Sequence, residues 1–230
     1  MLIQIPAVLD AEQVREFQEE LGAAHWSDGR GSAGYLSQQV KRNRQLPDDD
    51  PLSRRFGELI MVALGKNAQF MSAALPLRIL PPRFNCYEAG QHYGRHVDGS
   101  IQQVHGMPQR VRTDLSATLF VSDPASYDGG ELLIDDTYGS REVKLAAGDL
   151  VLYPGTSVHQ VKPVTRGKRI AAFFWIQSMV RTDQQRVLLY ELDRAIQAVA
   201  VAGGIHNAAA GPATELAGVY HNLLRMWAEL

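Results

Sequence analysis

Apolar positions along the chain change from helical spacing to short strand-like runs and then return to helical spacing. Near the start, Asp10 begins a capping-box pattern, and apolar residues at intervals of three and four predict a helix over 10–22. Asp50-Pro51 is typical of an N-cap followed by proline in the first turn, and it predicts a second helix. We interpret the glycine-rich segment 29–34 between these helices as a mobile loop.

The middle of the chain consists of β-branched and aromatic runs separated by glycine, proline and aspartate. Such runs predict about eight strands, which fit a jelly roll whose two packed sheets leave an open mouth for a small ligand. The clearest predicted strands are 115–121, 131–134, 142–145, 150–153 and 170–176. We interpret 99–113, which contains Gly106 and Pro108, as a loop near that mouth.

Helical spacing returns after Gln177. Thr182 is typical of a helix cap and predicts a helix to about residue 201, and Pro212 precedes a last helix. This last helix has one apolar stripe, formed by Leu216, Val219, Leu223, Leu224 and Trp227. Packing of the stripe on the same chain is favoured over pairing of two copies, because surface helices normally bury such a face.

This order of elements favours a mostly β fold with flanking helices over an alternating α/β fold. We divide the chain into an N-terminal helical support region (1–76), a jelly-roll domain (77–178) and a C-terminal helical region (179–230). With 45% hydrophobic and 21% charged residues, the composition is that of a globular protein and not of a disordered one.

Charge and cysteine content exclude several classes of function. The net charge is −2 and basic residues do not alternate with aromatic ones, so we expect no nucleic-acid binding. No segment approaches the roughly 18 consecutive apolar residues of a membrane span. Cys86 is the single cysteine, which excludes an intramolecular disulfide, and the first residues have no leader pattern. We therefore expect the protein in the cytoplasm.

His96-Val97-Asp98 and the later His159 are candidate metal ligands. Side chains two residues apart on a strand point to the same face, so His96 and Asp98 can bind one ion while Val97 points away. Two imidazoles and one carboxylate leave other coordination positions open, as expected of non-haem Fe(II) oxygenases. The tripeptide alone would be interpreted as a surface pair. The motifs that surround it in the sequence favour a metal site instead.

The other histidines lack a metal-ligand partner at useful spacing. His92 lies four residues before His96, but no glutamate separates them and Gly90 and Gly94 argue against a helix, so a zinc-protease site is excluded. A substrate or outer-sphere role for His92 stays open. We interpret the remaining four, His25, His105, His206 and His221, as surface or hydrogen-bonding residues.

Arg169 opens an apolar run and is in phase with Ala171 and Phe173 on one face of the predicted strand. A buried guanidinium on that face requires an anionic partner, and its planar donors fit a carboxylate better than Lys168 could. We expect Arg166 and Lys168, which belong to a tight turn, to face solvent.

These candidates lie within a longer series of motifs. The order resembles the iron- and 2-oxoglutarate-dependent dioxygenases of the prolyl 4-hydroxylase type, and most closely the bacterial PKHD-type hydroxylases, over 78–177. The motifs around the candidate ligands are Tyr87-Glu88-Ala89-Gly90-Gln91-His92-Tyr93-Gly94-Arg95, Gly129-Gly130-Glu131-Leu132, Gly148-Asp149-Leu150-Val151-Leu152-Tyr153-Pro154 and Ser157-Val158-His159.

The resemblance implies an enzyme that uses Fe(II), 2-oxoglutarate and O2 to hydroxylate a C–H bond, with release of succinate and CO2. It implies that Arg169 binds the distal carboxylate of 2-oxoglutarate, and that ascorbate keeps the iron reduced. It also implies that Tyr87 reaches the cosubstrate, although core packing of Tyr87 is equally favoured. Leu119 lies on a strand where some relatives use a tyrosine, and leucine cannot donate a hydrogen bond.

Other interpretations stay open at this point. A cupin-like metal enzyme without 2-oxoglutarate would leave Arg169 without a role, and a non-catalytic jelly-roll sensor would not need three intact ligands. The substrate is either a peptidyl side chain or a free small molecule such as an iron chelator. The resemblance to PKHD-type hydroxylases favours a role in bacterial iron uptake.

Overall fold

The computed structural model describes residues 1–103, 110–137, 139–203 and 211–230. The candidates His105 and His206 lie outside these residues, as do Gly106 and Pro108 of the predicted loop. Among the described helices, none has the length and apolar character needed to cross a membrane.

The predicted helices are present at both ends of the chain. Asp10 accepts hydrogen bonds from the backbone N–H groups of Glu12 and Gln13, and the Gln13 side chain accepts from the Asp10 N–H, so the capping box is confirmed. Asp50 accepts from the Leu52 N–H at the start of the second predicted helix. The helices are α1 (Ala11–Ala23), α2 (Ser37–Val40), α3 (Pro51–Lys66), α4 (Ala68–Ala74), α5 (Asp183–Ala202) and α6 (Pro212–Trp227).

The strands lie mainly between α4 and α5, in the part of the chain where the sequence predicts them. They are β1 (Ile3–Ile5), β2 (Ser27–Asp28), β3 (Lys41–Arg42), β4 (Arg44–Gln45), β5 (Pro76–Ile79), β6 (Arg83–Tyr87), β7 (His92–His96), β8 (Ile101–Gln103), β9 (Arg110–Arg112), β10 (Leu115–Phe120), β11 (Asp128–Gly129), β12 (Leu132–Asp136), β13 (Gly139–Val143), β14 (Leu150–Pro154), β15 (His159–Val161), β16 (Val164–Arg166) and β17 (Arg169–Ser178).

Two antiparallel sheets form the predicted jelly roll. The larger sheet has the order β1-β14-β10-β17-β6-β4-β2, and β5 also pairs with β17. The smaller sheet has the order β13-β12-β15-β7-β3. The register places Arg169 opposite Tyr87 in the larger sheet and His159 opposite His96 in the smaller one. The candidate site residues therefore come from the two sheets that face each other.

The main core lies between the larger sheet and the N-terminal helices. Phe17 of α1 and Phe56 of α3 have ring centroids 4.0 Å apart, and both rings contact Phe84 of β6 edge-on. These three side chains are fully buried. Because residues alternate along a strand, Ile170, Ala172 and Phe174 of β17 face this core, and Arg169 and Phe173 lie on the opposite face.

Three local predictions need correction. Segment 99–113 is not wholly a loop, because β8 and β9 pair as a hairpin. Segment 29–34 contains a 3₁₀ turn over Gly29–Ser32, which Asp28 caps by accepting from the Arg30 N–H. Thr182 precedes α5 as predicted, but its side chain makes no capping hydrogen bond.

The last helix packs on its own chain, as predicted. Leu223, Leu224 and Trp227 of α6 contact a cluster that contains Val180 and Leu189. Val219 of the same stripe remains exposed. The stripe is therefore largely covered without a second copy of the chain.

Candidate functional site

The three predicted metal ligands meet between the two sheets. His96 ends β7, His159 begins the adjacent strand β15, and Asp98 follows two residues after His96. One ligand atom from each lies within 4.8 Å of the others. His96 Nε2 is 3.9 Å from Asp98 Oδ1, and His159 Nε2 is 3.8 Å from Asp98 Oδ2. These separations are too long for hydrogen bonds and leave room for an ion bound to all three groups.

Hydrogen bonds to neighbouring groups orient each of these side chains. His96 Nδ1 lies 2.9 Å from the Gly94 carbonyl oxygen, and His159 Nδ1 lies 3.1 Å from that of Ser157. A carbonyl can only accept, so Nδ1 donates in both rings and the lone pair of Nε2 faces Asp98. Ser116 Oγ donates to Asp98 Oδ2 at 2.7 Å and fixes that carboxylate.

Aromatic side chains pack against both imidazoles. Tyr93 stacks on His96 with ring centroids 3.6 Å apart, and Tyr153 contacts His159 edge-on at 5.2 Å. Burial, followed by repulsion from His159, lowers the pKa of His96 to about 4. His96 is therefore neutral at physiological pH, which is the form that binds a metal.

The donor set fits Fe(II). It consists of two imidazole nitrogens and one carboxylate, the combination that non-haem iron oxygenases use with further positions open. Within the described residues, no fourth His, Cys, Asp or Glu joins this group. Open positions are what a chelating cosubstrate and O2 require.

Arg169 lines the cavity that also contains the candidate triad. Its side chain is 1% exposed, and its Cζ atom lies 5.4 Å from the Tyr87 ring centroid and 5.3 Å from that of Phe120. Arg169 Nε and Nη1 have no hydrogen-bond partner, and the buried Tyr127 hydroxyl also lacks one. Burying a charged group with unmet donors is costly, so this end of the cavity fits a carboxylate.

Gly130 leaves space for the Arg169 side chain, and Gly129 lets the backbone pass close to Pro163. Both residues have a positive φ, of 72° and 68°. A Cβ on Gly129 would lie 2.1 Å from the Pro163 carbonyl oxygen, and one on Gly130 would lie 3.0 Å from Arg169 Cδ. The motif is therefore required both by backbone conformation and by close approach.

One cavity of about 90 Å³ joins the candidate triad to Arg169. Tyr87 lines it, and so do Gly99 and Gln102 of segment 99–113, which was predicted to lie near the mouth, and Ser32 and Gly34 of segment 29–34. The sequence interpretation missed several further lining residues, namely Lys41, Asn85, Ser116, Thr118 and Tyr153. Alternation along β10 would have identified Ser116 and Thr118, since they share one face of that strand.

Several other candidates lie elsewhere. Leu119 is fully buried in the main core, on the opposite face of β10 from the cavity, so its comparison with a cosubstrate tyrosine was wrong. His92 does not line the cavity, and its Nδ1 is 3.4 Å from the Gly90 carbonyl oxygen. Lys168 and Arg166 face solvent as predicted, where they pair with Glu88 and Asp128.

Comparison with known proteins identifies the family. Residues 82–177 match the model of the 2OG-Fe(II) oxygenase superfamily, and 183–229 match that of the PKHD-type hydroxylase C-terminal domain. A PKHD-type hydroxylase of Pseudomonas putida (strain W619) is 54% identical over 230 residues, which cover all of both chains. The chain belongs to the PKHD-type hydroxylases.

Two further proteins support this PKHD-type hydroxylase assignment and its fold. The PKHD-type hydroxylase PiuC of Pseudomonas aeruginosa is also 54% identical, again over the whole of both chains. The crystal structure of a prolyl-4-hydroxylase from Pseudomonas putida has a TM-score of 0.51 and 20% identity, and the match covers 77% of this chain and 92% of that one. That similarity confirms the fold alone.

Family membership confirms the predicted enzyme class. This PKHD-type hydroxylase is an Fe(II)- and 2-oxoglutarate-dependent enzyme, and O2 and 2-oxoglutarate are its cosubstrates. The cupin-like and sensor interpretations have no support from these comparisons.

Proposed function

We propose that His96, Asp98 and His159 bind the Fe(II) and that Arg169 binds the distal carboxylate of 2-oxoglutarate. One observation carries this proposal: a single cavity joins the triad to a buried guanidinium whose Nε and Nη1 have no partner. An anionic ligand that reaches from the metal to Arg169 satisfies both ends. 2-Oxoglutarate is such a ligand, because it has an anionic group at each end.

In this proposal, residues of the chain bind the metal and orient its ligands. His96 and His159 present Nε2 to the metal because backbone carbonyls hold their Nδ1 atoms, and Ser116 orients Asp98. When bound, Fe(II) and 2-oxoglutarate supply the oxidative chemistry that releases succinate and CO2 and hydroxylates the substrate.

We propose that Tyr87 contacts the cosubstrate. The support is its position in the cavity wall, directly opposite Arg169 across β6 and β17. Burial raises the pKa of the Tyr87 hydroxyl. The hydroxyl therefore stays protonated and keeps its capacity to donate a hydrogen bond.

Anaerobic titration of the Fe(II)-loaded protein with 2-oxoglutarate tests the arrangement. Chelation of the keto acid should produce a metal-to-ligand absorption band, and admission of O2 should then give succinate. Absence of both the band and succinate would instead favour a cupin-like enzyme that does not use the keto acid.

We propose that the primary substrate is a free small molecule connected with bacterial iron uptake, such as an iron chelator. The support is the resemblance to PKHD-type hydroxylases. A peptidyl side chain is the alternative. Incubation with candidate chelators and with proline-containing peptides, while succinate is followed, distinguishes the two.

Three further assignments are part of this proposal. Ascorbate re-reduces iron after turnover without substrate, and the protein works in the cytoplasm. The chain divides into regions 1–76, 77–178 and 179–230, a division supported by the family matches over 82–177 and 183–229.

A further inference from the structure

Lys41 of β3 is a buried cation in the wall of the cavity. Its side chain is 3% exposed, and its Nζ atom lies 2.8 Å from Ser32 Oγ and 3.4 Å from Gln45 Oε1. The Tyr93 and Phe173 ring centroids are 5.2 Å and 5.9 Å from Nζ. Within the described part of the chain, no carboxylate comes within 4.0 Å of this ammonium group. Lys41 is therefore buried without an anionic partner.

The hydrogen bonds of Lys41 leave one donor unused. An ammonium group has three N–H donors, and Ser32 and Gln45 can accept from two of them. Asn85 of β6 lies opposite Gln45 in register and lines the same cavity. It is 7% exposed, and its Oδ1 has no hydrogen-bond partner. An ammonium donor and a primary amide thus face the cavity from one wall.

The charges around the cavity leave Lys41 uncompensated. Asp98 is the one carboxylate among the described lining residues, and it faces the two cations Lys41 and Arg169. A divalent metal and dianionic 2-oxoglutarate cancel each other, so their binding leaves one excess positive charge. A buried unpaired charge is destabilising and needs a counterion.

Lys41 and Arg169 are too far apart to bind the same carboxylate. Lys41 lies beside Phe173, which is four residues from Arg169 along β17, or about 13 Å on an extended strand. Arg169 instead lies between Tyr87 and Phe120. If Arg169 binds the cosubstrate, Lys41 remains available for a different anion.

We propose that Lys41 binds an anionic oxygen group, a carboxylate or similar oxyanion, of the primary substrate, and that Asn85 Oδ1 accepts a hydrogen bond from a neighbouring N–H or O–H of that substrate. This inference rests on the proposed function, in which Arg169 binds 2-oxoglutarate. Ser32 and Gln45 position the ammonium group through their hydrogen bonds to it. Recognition of the anionic group would hold the substrate beside the metal on the side opposite Arg169.

Two further observations are consistent with this role. Large apolar side chains close to the lining residues are exposed, among them Leu36, Val97 and Ile101, and they can contact an apolar substrate body next to its anionic group. Burial, followed by repulsion from Arg83, lowers the pKa of Lys41 to about 8. Lys41 therefore still carries its charge in most molecules at neutral pH.

Benzoate and benzamide form a matched pair of probes for this site, since they differ in charge but little in shape. Protein loaded with Mn(II) and saturated with 2-oxoglutarate under argon would relax the ring protons of a probe that binds near the metal. We expect the ring protons of benzoate to relax faster than those of benzamide. Lys41→Met should weaken benzoate binding by about tenfold, the scale for loss of a charged hydrogen bond.

Control variants separate this role from others. Lys66→Met removes an exposed lysine of α3 and should leave benzoate binding unchanged. Lys41→Gln keeps a hydrogen-bonding side chain but removes the charge, and it should weaken benzoate binding as Lys41→Met does. This second variant keeps the test valid if Lys41→Met does not fold. 2-Oxoglutarate affinity should stay within about twofold in both Lys41 variants.

The outcomes distinguish this inference from the proposed function. Equal benzoate binding by wild type and both Lys41 variants, or no benzoate binding by wild type, would overturn the role of Lys41 alone. A tenfold loss of 2-oxoglutarate affinity in Lys41→Gln, with normal affinity in Arg169→Ala, would show that Lys41 binds the cosubstrate. That result would overturn both proposals.

Discussion

The two faces of β17 differ in composition and in their contribution to the stability of the fold. One face presents Ile170, Ala172 and Phe174 to a core that also contains the N-terminal helices. The other presents Arg169 and Phe173 to the cavity, where charged and polar atoms are buried without partners. The first face stabilises the fold. The buried polar and charged groups on the second face stabilise it only when they bind ligands.

The largest expected effect is on the cavity face. His159→Ala removes one of three candidate ligands and should weaken Fe(II) binding by more than roughly 100-fold and abolish turnover, because losing an outer-sphere partner already costs 10- to 100-fold. Fe(II) titration and succinate formation measure the two effects. His221→Ala, on exposed α6, is the control and should retain both. Full iron binding and turnover by His159→Ala would remove His159 from the site.

The core face should show the opposite behaviour. Phe56→Ala empties space between Phe17 and Phe84 and should lower the free energy of unfolding by about 3–5 kcal/mol. Under conditions where the variant remains folded, its affinity for Fe(II) should match that of wild type. Denaturant unfolding measures the first quantity and metal titration the second. A large loss of iron affinity in the folded variant would show that the two faces are not independent.

Lys41→Met tests whether the cavity face costs stability. Burial lowers the pKa of Lys41 from 10.5 to about 8, so below pH 8 the folded protein carries the full cost of the buried charge. Between pH 8 and 10.5 the folded state releases this proton while the unfolded state still binds it, so the cost falls as pH rises. The variant should be more stable than wild type by roughly 1–2 kcal/mol at pH 7, and by less at pH 10.

Unfolding of the metal-free proteins at both pH values measures this difference, with Lys66→Met as the control. The groups whose charges act on Lys41 are Arg83, Asp98 and Asp28. Burial raises the pKa of neighbouring Tyr93 to about 12, so that group stays neutral. A Lys41→Met variant that is less stable than wild type at pH 7 would contradict the cost assigned to the buried charge.

Features set by neighbouring residues in the sequence were predictable. His96 and Asp98 are two apart on an extended segment, and alternation in β17 identified Arg169 as facing the same side as Phe173. Helix caps were equally local, since Asp10 and Asp50 accept bonds from residues just after them. These parts of the fold and site follow from short-range geometry.

The position of Lys41 depends on pairing between distant segments. β3 and β4 are two residues long and have no periodicity that could predict a strand. Lys41 of β3 lies in the cavity wall because β3 pairs with β7, and pairing of β4 with β6 places Gln45 where it accepts from Lys41. Leu119 illustrates a different error, since alternation with Leu115 and Ala117 would have placed it in the main core.

In the proposed function Arg169 and the triad bind one ligand, and the affinity of the Fe(II)-loaded protein for 2-oxoglutarate under argon measures this claim without intermediate steps. Arg169→Ala should weaken this affinity by roughly 2–5 kcal/mol, the scale for losing one partner of a buried charge pair, while Fe(II) binding survives. Arg166→Ala, which removes a solvent-facing guanidinium, should bind 2-oxoglutarate as wild type does. Unchanged 2-oxoglutarate affinity in a folded, iron-loaded Arg169→Ala protein would contradict the claim.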